Sequence, residues 1–336
     1  GITFSRTFNY SAKGNSVSQT TDEGYIIAGN SGLLKTDKVG NEEWYREYGS
    51  GGVGYSVAET KDGGYITTGG NDYNVFLIKT DADGNLLWNK SLTGEVGFSV
   101  QQTIDDGYIV CGKIYTDAIW WYDMILIKTD SYGNEIWSQT FGSGLVDEAY
   151  CVEQTLDGGY IITGEKDAGD YQNTNTKMWL IKTDPDGNIE WDYEHSGGSH
   201  HHGQSVQQTR DGGFIVAGQS GSNMSLFKII SNGSLDWTNT YSGTYSSLGY
   251  DVRQTTDEGY IVTGRINSAE EGPSNVDVYI IKTDDSGSLH WERVFGNGSY
   301  DAGYSAEQTS DSGYIVVGEN NGQIWLIKTD PEGNVY

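Results

Sequence analysis

Proline is nearly absent from this 336-residue chain, with three residues, and cysteine is scarcer still, with two. So little proline leaves no room for proline-rich linkers or polyproline stretches. Two cysteines, Cys111 and Cys151, exclude a disulfide framework and leave at most one bond between them. Basic residues number 20 against 47 acidic ones, a formal charge of −27. A surface of that sign repels nucleic acid and anionic lipid, so neither is an expected partner. No apolar run approaches the roughly 18 residues of a membrane helix, and no basic, apolar signal segment is present. Membrane insertion is therefore not expected. The acidic balance suits a salty exterior, divalent cations or a cationic partner, and equally plain solubility. Five sequons, at Asn9, Asn89, Asn223, Asn232 and Asn297, would allow N-glycosylation of an exported chain.

What is abundant is glycine (48), tyrosine (24) and tryptophan (10). That is the profile of many short strands joined by tight turns. A turn of the form Asp-x-Gly followed by Tyr/Phe-Ile recurs with its aspartate at Asp22, Asp62, Asp105, Asp157, Asp211, Asp257 and Asp311. Repeats at this spacing mean a propeller or a solenoid. Each unit offers four strand candidates, typified by 99–103, 108–112, 125–129 and 135–141, with no helical periodicity. Four short strands per unit spell a propeller blade.

The expected fold is all-β, a single seven-bladed β-propeller of four-stranded antiparallel blades. The blades fall at about 16–48, 56–92, 99–141, 151–195, 205–241, 251–295 and 305–336 plus 2–8. The seventh unit lacks a fourth strand, and Ile2-Thr-Phe-Ser-Arg-Thr-Phe8 has that strand's pattern, with Phe4 where the others carry tryptophan. The N-terminal strand is expected to complete the last blade and remove two sheet edges. The alternative is that it completes a neighbouring molecule and builds a filament.

Residues that repeat are assigned to structure. Trp44, Trp88, Trp137, Trp191, Trp237 and Trp291 share one position, that of a ring packed between adjacent sheets; six copies argue against a ligand platform. Trp179 and Trp325 precede the Leu-Ile-Lys-Thr-Asp phrase and are expected in the core. In the turn Asp81-Ala-Asp-Gly84 the aspartate is expected to cap backbone amides and the glycine to take a positive φ. Asp81/Asp83 and Asp184/Asp186 superficially resemble calcium loops but lack the later ligands. Blade five has Ile229-Ile230 in place of Thr-Asp, so a different turn is expected there. Each third strand carries one lysine, Lys35 through Lys328, expected to pair with a turn aspartate; a cationic ring for an anionic ligand is the alternative.

The phrase Leu77-Ile-Lys-Thr-Asp81-x-x-Gly-Asn-x-x-Trp88 resembles the tryptophan-docking repeat of PQQ-type propellers. The likeness is strongest to glycine-rich propeller repeats of bacterial and archaeal secreted and cell-surface proteins. It implies an extracellular or cell-surface location. The eight blades and adjacent-cysteine pair of the quinoprotein enzymes are not seen, so no cofactor-binding residue carries over and no cofactor is expected.

Function is sought in what breaks the pattern. The loops between second and third strands vary, from residues 30–32 in blade one to 113–123, 165–177 and 265–277 in blades three, four and six. Together with the blade linkers they form one face, where scaffolds carry function. Trp120, Trp121 and Tyr122 beside Asp123, extended by Tyr115 and Tyr171, are the candidate ligand-binding residues, suited to a sugar or a protein hot spot. The competing expectation is that this loop folds over and buries them. His195 and His200-His201-His202 with Asp147-Glu148 have the groups to bind zinc or a similar metal, but consecutive histidines cannot all point at one ion and no recognised ligand spacing appears, so a solvated loop is the leading expectation. Asp167, Asp170, Glu270, Glu271, Asp277 and Asp301 leave calcium open. No Ser-His-Asp motif, nucleophile elbow, phosphate loop or HExxH helix occurs, so no catalytic residue is assigned. The leading expectation is a non-enzymatic recognition or structural module that binds a protein or a glycan. The alternatives are a polysaccharide-acting lyase or hydrolase with acidic residues near a central channel, and a self-assembling surface or filament subunit.

Overall fold

A computed structural model describes the chain apart from residues 11, 31, 50–51, 72, 117–120, 143–144, 168–174, 197–199, 242–245, 268–274 and 297–299. The described residues form twenty-eight strands and no helix. They assemble as seven antiparallel four-stranded units, the second and third joined by one cross-pairing, Val96 with Gly70. The inner strands are Gly14–Gln19, Val53–Glu59, Val96–Gln102, Glu148–Gln154, His201–Gln208, Ser247–Gln254 and Asp301–Gln308. Six outer strands follow in sequence within their own units. The seventh is Phe4–Phe8, which pairs antiparallel with Gln323–Thr329.

The core is divided among the seams. Seven apolar clusters each combine side chains of two neighbouring units, and one joins Phe4, Val17 and Tyr25 to Ile315 and Leu326. Across every seam an outer-strand ring meets a second-strand ring of the next unit, with centroids 5.6–6.2 Å apart: Trp44 on Tyr65 through Trp291 on Tyr314, and Phe4 on Tyr25. The same ring lies on the turn glycine of that next unit. A Cβ on Gly84 would fall 2.8 Å from Trp44, and one on Gly40 2.5 Å from Phe4. These glycines also hold a positive φ, 75° at Gly84. The tryptophans are half-buried docking plugs, whereas Trp179 and Trp325 are buried outright, as expected.

Two hydrogen-bond belts join the inner strands. In the first, a serine hydroxyl accepts from a backbone amide of the next unit at 3.2–3.4 Å: Ser16 from Val57, Ser56 from Val100, Ser99 from Val152, Ser205 from Val252 and Ser305 from Val17. Cys151 and Asp251 hold the two other positions. In the second belt every unit takes part. The side chain of Glu59, Gln102, Gln154, Gln208, Gln254, Gln308 or Gln19 accepts from a turn amide of the preceding unit at 2.8–3.0 Å. The first belt satisfies backbone donors on the free edges of the inner strands, and the second satisfies those of the turns that follow them.

All seven third-strand lysines are buried, with Nζ 2.8–3.0 Å from the expected aspartate, Asp22 through Asp311. A neighbouring threonine hydroxyl donates to each of these carboxylates. The turn at Asp81 is capped as expected: Oδ1 accepts from the amides of Asp83 and Asn85, and Oδ2 from the Asn85 side chain. Blade five departs from expectation by keeping the same turn. Ile230 N–H donates to Ser234 O and Gly233 N–H to Ile230 O, while Asn232 replaces the missing aspartate by accepting from the Ser234 amide. The backbone bonds, not the aspartate, define that turn.

Candidate functional site

The inner strands start earlier than their side-chain alternation suggests, at Val53 rather than Ser56 in the second unit. The cause is a β-bulge, present in all seven, that breaks the alternation between Gly54 and Ser56 and at the equivalent places. Each bulge inserts one residue at the variable-loop end of an inner strand. Those residues are Asn15, Tyr55, Phe98, Tyr150, Gln204, Tyr250 and Tyr304, all half-buried. Five of the seven are aromatic, so the mouth of the axial channel carries a collar of rings. Tyr55 meets Phe98 edge-on at 5.1 Å, Phe98 meets Tyr150 at 5.5 Å, and Tyr250 meets Tyr304 at 4.9 Å. The sequence reading missed this collar; its only signal was the aromatic before Ser or its equivalent in five of seven repeats.

Charged groups flank the collar from the inner strands, the second strands and the blade linkers. Lys113 Nζ lies 2.7 Å from Glu148 and 4.3 Å from the Tyr122 ring centroid. Glu148 and Glu165 are direct cross-strand partners. The Tyr150 hydroxyl donates to Glu148 at 3.2 Å and is also hydrogen-bonded to Glu165. Burial pushes the Glu165 carboxyl up from 4.5 to about 7; the charges of Glu148 and Asp147 add to this, while Tyr150 and Lys113 oppose it. His202 lies 3.9 Å from Glu165, and burial, then His200, His201 and Arg265, depress it from 6.5 to about 4. On the far side of the collar, the Tyr304 hydroxyl donates to Glu319 at 2.5 Å, Lys13 lies 4.9 Å from the Tyr304 ring, and Arg265 donates to the Tyr300 hydroxyl at 2.7 Å.

Beneath the collar the inner strands enclose a cavity of about 280 Å³. Its lining includes Ser18, Gln101, Glu153, Gln207, Arg253 and Glu307. Arg253 is paired with Asp251 at 3.4 Å. Asp251 also accepts from Ser205, Ser305 and the Ala306 amide, so this departure from serine joins three units. Burial raises the carboxyls of Glu153 and Glu307, each of which accepts a backbone amide across a seam.

Of the residues singled out in the sequence, Tyr115 and Tyr122 come together as a cross-strand pair, with rings 4.4 Å and hydroxyls 2.6 Å apart. Trp121 is half-buried next to them, its carbonyl accepting from Thr116. Asp123 packs on Gly142, where an added Cβ would collide with its carboxylate; Asp277 does the same on Gly296. Trp120 and Tyr171 lie outside the described residues, as do Asp170, Glu270 and Glu271. Asp301 is fully buried and Asp277 nearly so, and Asp147 accepts from the Asp167 amide. His195 packs on His201 and Phe227, and burial lowers both histidines. Among the described residues no three His, Cys, Asp or Glu side chains are grouped to hold a metal. Cys111 and Cys151 are free thiols, so the bond left open by the sequence is not formed.

No protein-family model matches the sequence, and no curated protein does. Among solved structures the chain is similar to the WD40 β-propeller domain of Doa1, with a TM-score of 0.66 at 11% identity over 97% of this chain and 96% of that one. It is also similar to a protein of unknown function from Bacteroides caccae, with a TM-score of 0.48 at 13% identity over 70% of this chain and 85% of that one. The seven strand units and the likeness to the Doa1 domain make this an all-β protein with a β-propeller fold.

Proposed function

We propose that the chain is a non-enzymatic recognition module of the cell exterior that binds a protein or glycan through its variable-loop face. The repeat is of the tryptophan-docking type, and the seven blades close through the chain's own N-terminal strand. The supporting observation is the collar: five of seven bulges carry half-buried aromatics at one end of the channel, bordered by groups of both charge signs. Repeat packing does not require these rings, because Asn15 and Gln204 fill the same position. Tyr115, Tyr122 and Lys113 extend the surface toward Trp121, and Trp120 and Tyr171, outside the described residues, are included in this reading. Calcium in the long loops of blades four and six remains part of this reading, checked by a calcium titration of thermal stability.

A second reading, a polysaccharide-acting lyase or hydrolase, is favoured by Glu148 and Glu165. They face each other on neighbouring strands, one beside Lys113 and the other pushed to about 7 by burial. A carboxyl pair in which burial favours the protonated form of one member is what acid–base chemistry at a glycosidic bond needs. Incubation with a polysaccharide panel, followed by product analysis, decides between them. Binding without products supports recognition. Products that disappear in Glu165→Gln overturn it in favour of the enzyme.

A further inference from the structure

We propose that the axial collar is a binding site for a neutral oligosaccharide. This rests on the reading of the variable-loop face as the recognition surface and names its ligand class and place: the channel mouth, rather than the blade-three loop.

The charge pattern carries the choice of ligand. The chain as a whole is at −27, yet the groups at the collar are close to balance. Lys13, Lys113 and Arg265 stand against Glu148, Glu165, Glu319 and the buried Asp147, and most of them are tied to one another or to tyrosines. A polyanion finds no net cationic field there and meets long-range repulsion from the rest of the molecule. A polycation has stronger acidic surface elsewhere. A neutral chain rich in hydroxyls is the ligand for which such a mouth is not at a disadvantage.

The chemistry agrees. Aromatic rings bury the C–H faces of sugars while phenol groups reach the hydroxyls. Carboxylates, a guanidinium, an ammonium and the amide of Gln204 offer acceptors and donors in close succession, as vicinal hydroxyls require. The seven bulges fix the rings and the Gln204 amide on strands rather than loops, so little ordering entropy opposes binding.

Isothermal titration of the full chain tests this, using neutral hexaoses (maltohexaose, cellohexaose and mannohexaose), with hexagalacturonate and chitosan hexamer as charged comparators. The expected result is saturable binding of at least one neutral hexaose, little changed between low and high salt. Phe98→Leu, which keeps apolar volume and loses the ring, should weaken it about tenfold, a loss of ~1.4 kcal/mol. Tyr250→Ala should weaken it comparably, and Leu156→Ser, on the opposite face, should leave it unchanged. Unaltered thermal midpoints show that the variants fold. Absence of binding to all three neutral hexaoses overturns the proposal, as does binding of a charged hexamer alone or binding indifferent to the collar variants. A ligand that binds the long loops and ignores the collar variants would leave the recognition reading standing and remove only the collar.

Discussion

Gly84 meets two demands at once, a positive φ and a tryptophan ring against its α-carbon; Gly63, at φ 80°, meets only the first, with nothing within 4 Å of an added Cβ. Gly63→Ala should therefore cost only the left-handed backbone term, about 1 kcal/mol. Gly84→Ala should cost about 2 kcal/mol more, because Trp44 must leave its place. Urea unfolding of the two variants measures the difference, and equal losses would mean that the docking contact contributes nothing. Asp251 offers a second residue-scale test. Asp251→Asn leaves the Arg253 guanidinium without its charge partner and should destabilise by about 2 kcal/mol, less than for a fully buried pair because Arg253 is part-exposed to the channel. Adding Arg253→Gln should recover most of that loss.

Glu165 sets a pH dependence. The folded state holds this proton up to about pH 7, whereas an unfolded glutamate releases it near 4.5. Between those values the folded state binds more protons, so stability falls as pH rises through the window. Glu165→Gln should remove that slope, melting above the parent at about pH 8 and converging with it near pH 4. His202 acts in the opposite sense, with stability lost as pH falls from 6.5 toward about 4, so Glu165→Gln should leave that acid limb in place.

At the scale of elements, the N-terminal strand is the one taken from the far end of the chain. Its five pairings with Gln323–Thr329, and Phe4 against Tyr25 and Gly40, repeat every feature of the other seams. Closure within one chain predicts a monomer. Deleting residues 1–8 should lower the melting temperature and bare the edge of Gln323–Thr329, giving concentration-dependent association that a peptide of residues 1–10 reverses. Polymers of the intact chain in sedimentation velocity, lost on the deletion, would favour strand exchange instead.

The elements also mark what sequence reading reached. Lysine–aspartate pairs, capped turns and docking tryptophans were legible because seven copies repeat at fixed offsets, and repetition separates structure from accident. The bulges were not: an inserted residue reverses the alternation by which a strand start is recognised, so Tyr55 and its equivalents fell outside the strands. The glutamine belt was hidden for another reason, since a polar residue at the end of an exposed strand has the same appearance whether it meets water or a neighbour's amide. The blade-five turn differs the other way: the aspartate recurs at the six other turns, yet the backbone bonds of this one form without it.

For the whole molecule, the even seams and the uneven mouth divide the labour. The seams hold the seven units together with equivalent contacts, and the variable-loop face breaks equivalence. The opposite face is an internal control, since Ile104 and Leu156 are among its most exposed apolar side chains, at 82% and 87% exposure, on neighbouring turns. An apolar patch of that kind competes with the collar as an interaction surface. Native gel electrophoresis in gels carrying a neutral polysaccharide separates the two faces most directly. The parent chain and Ile104→Ser/Leu156→Ser should be retarded equally, and Phe98→Leu should need about tenfold more polysaccharide in the gel for the same retardation. Retardation lost in the Ile104/Leu156 variant and kept in Phe98→Leu would place recognition on the other face and contradict the account.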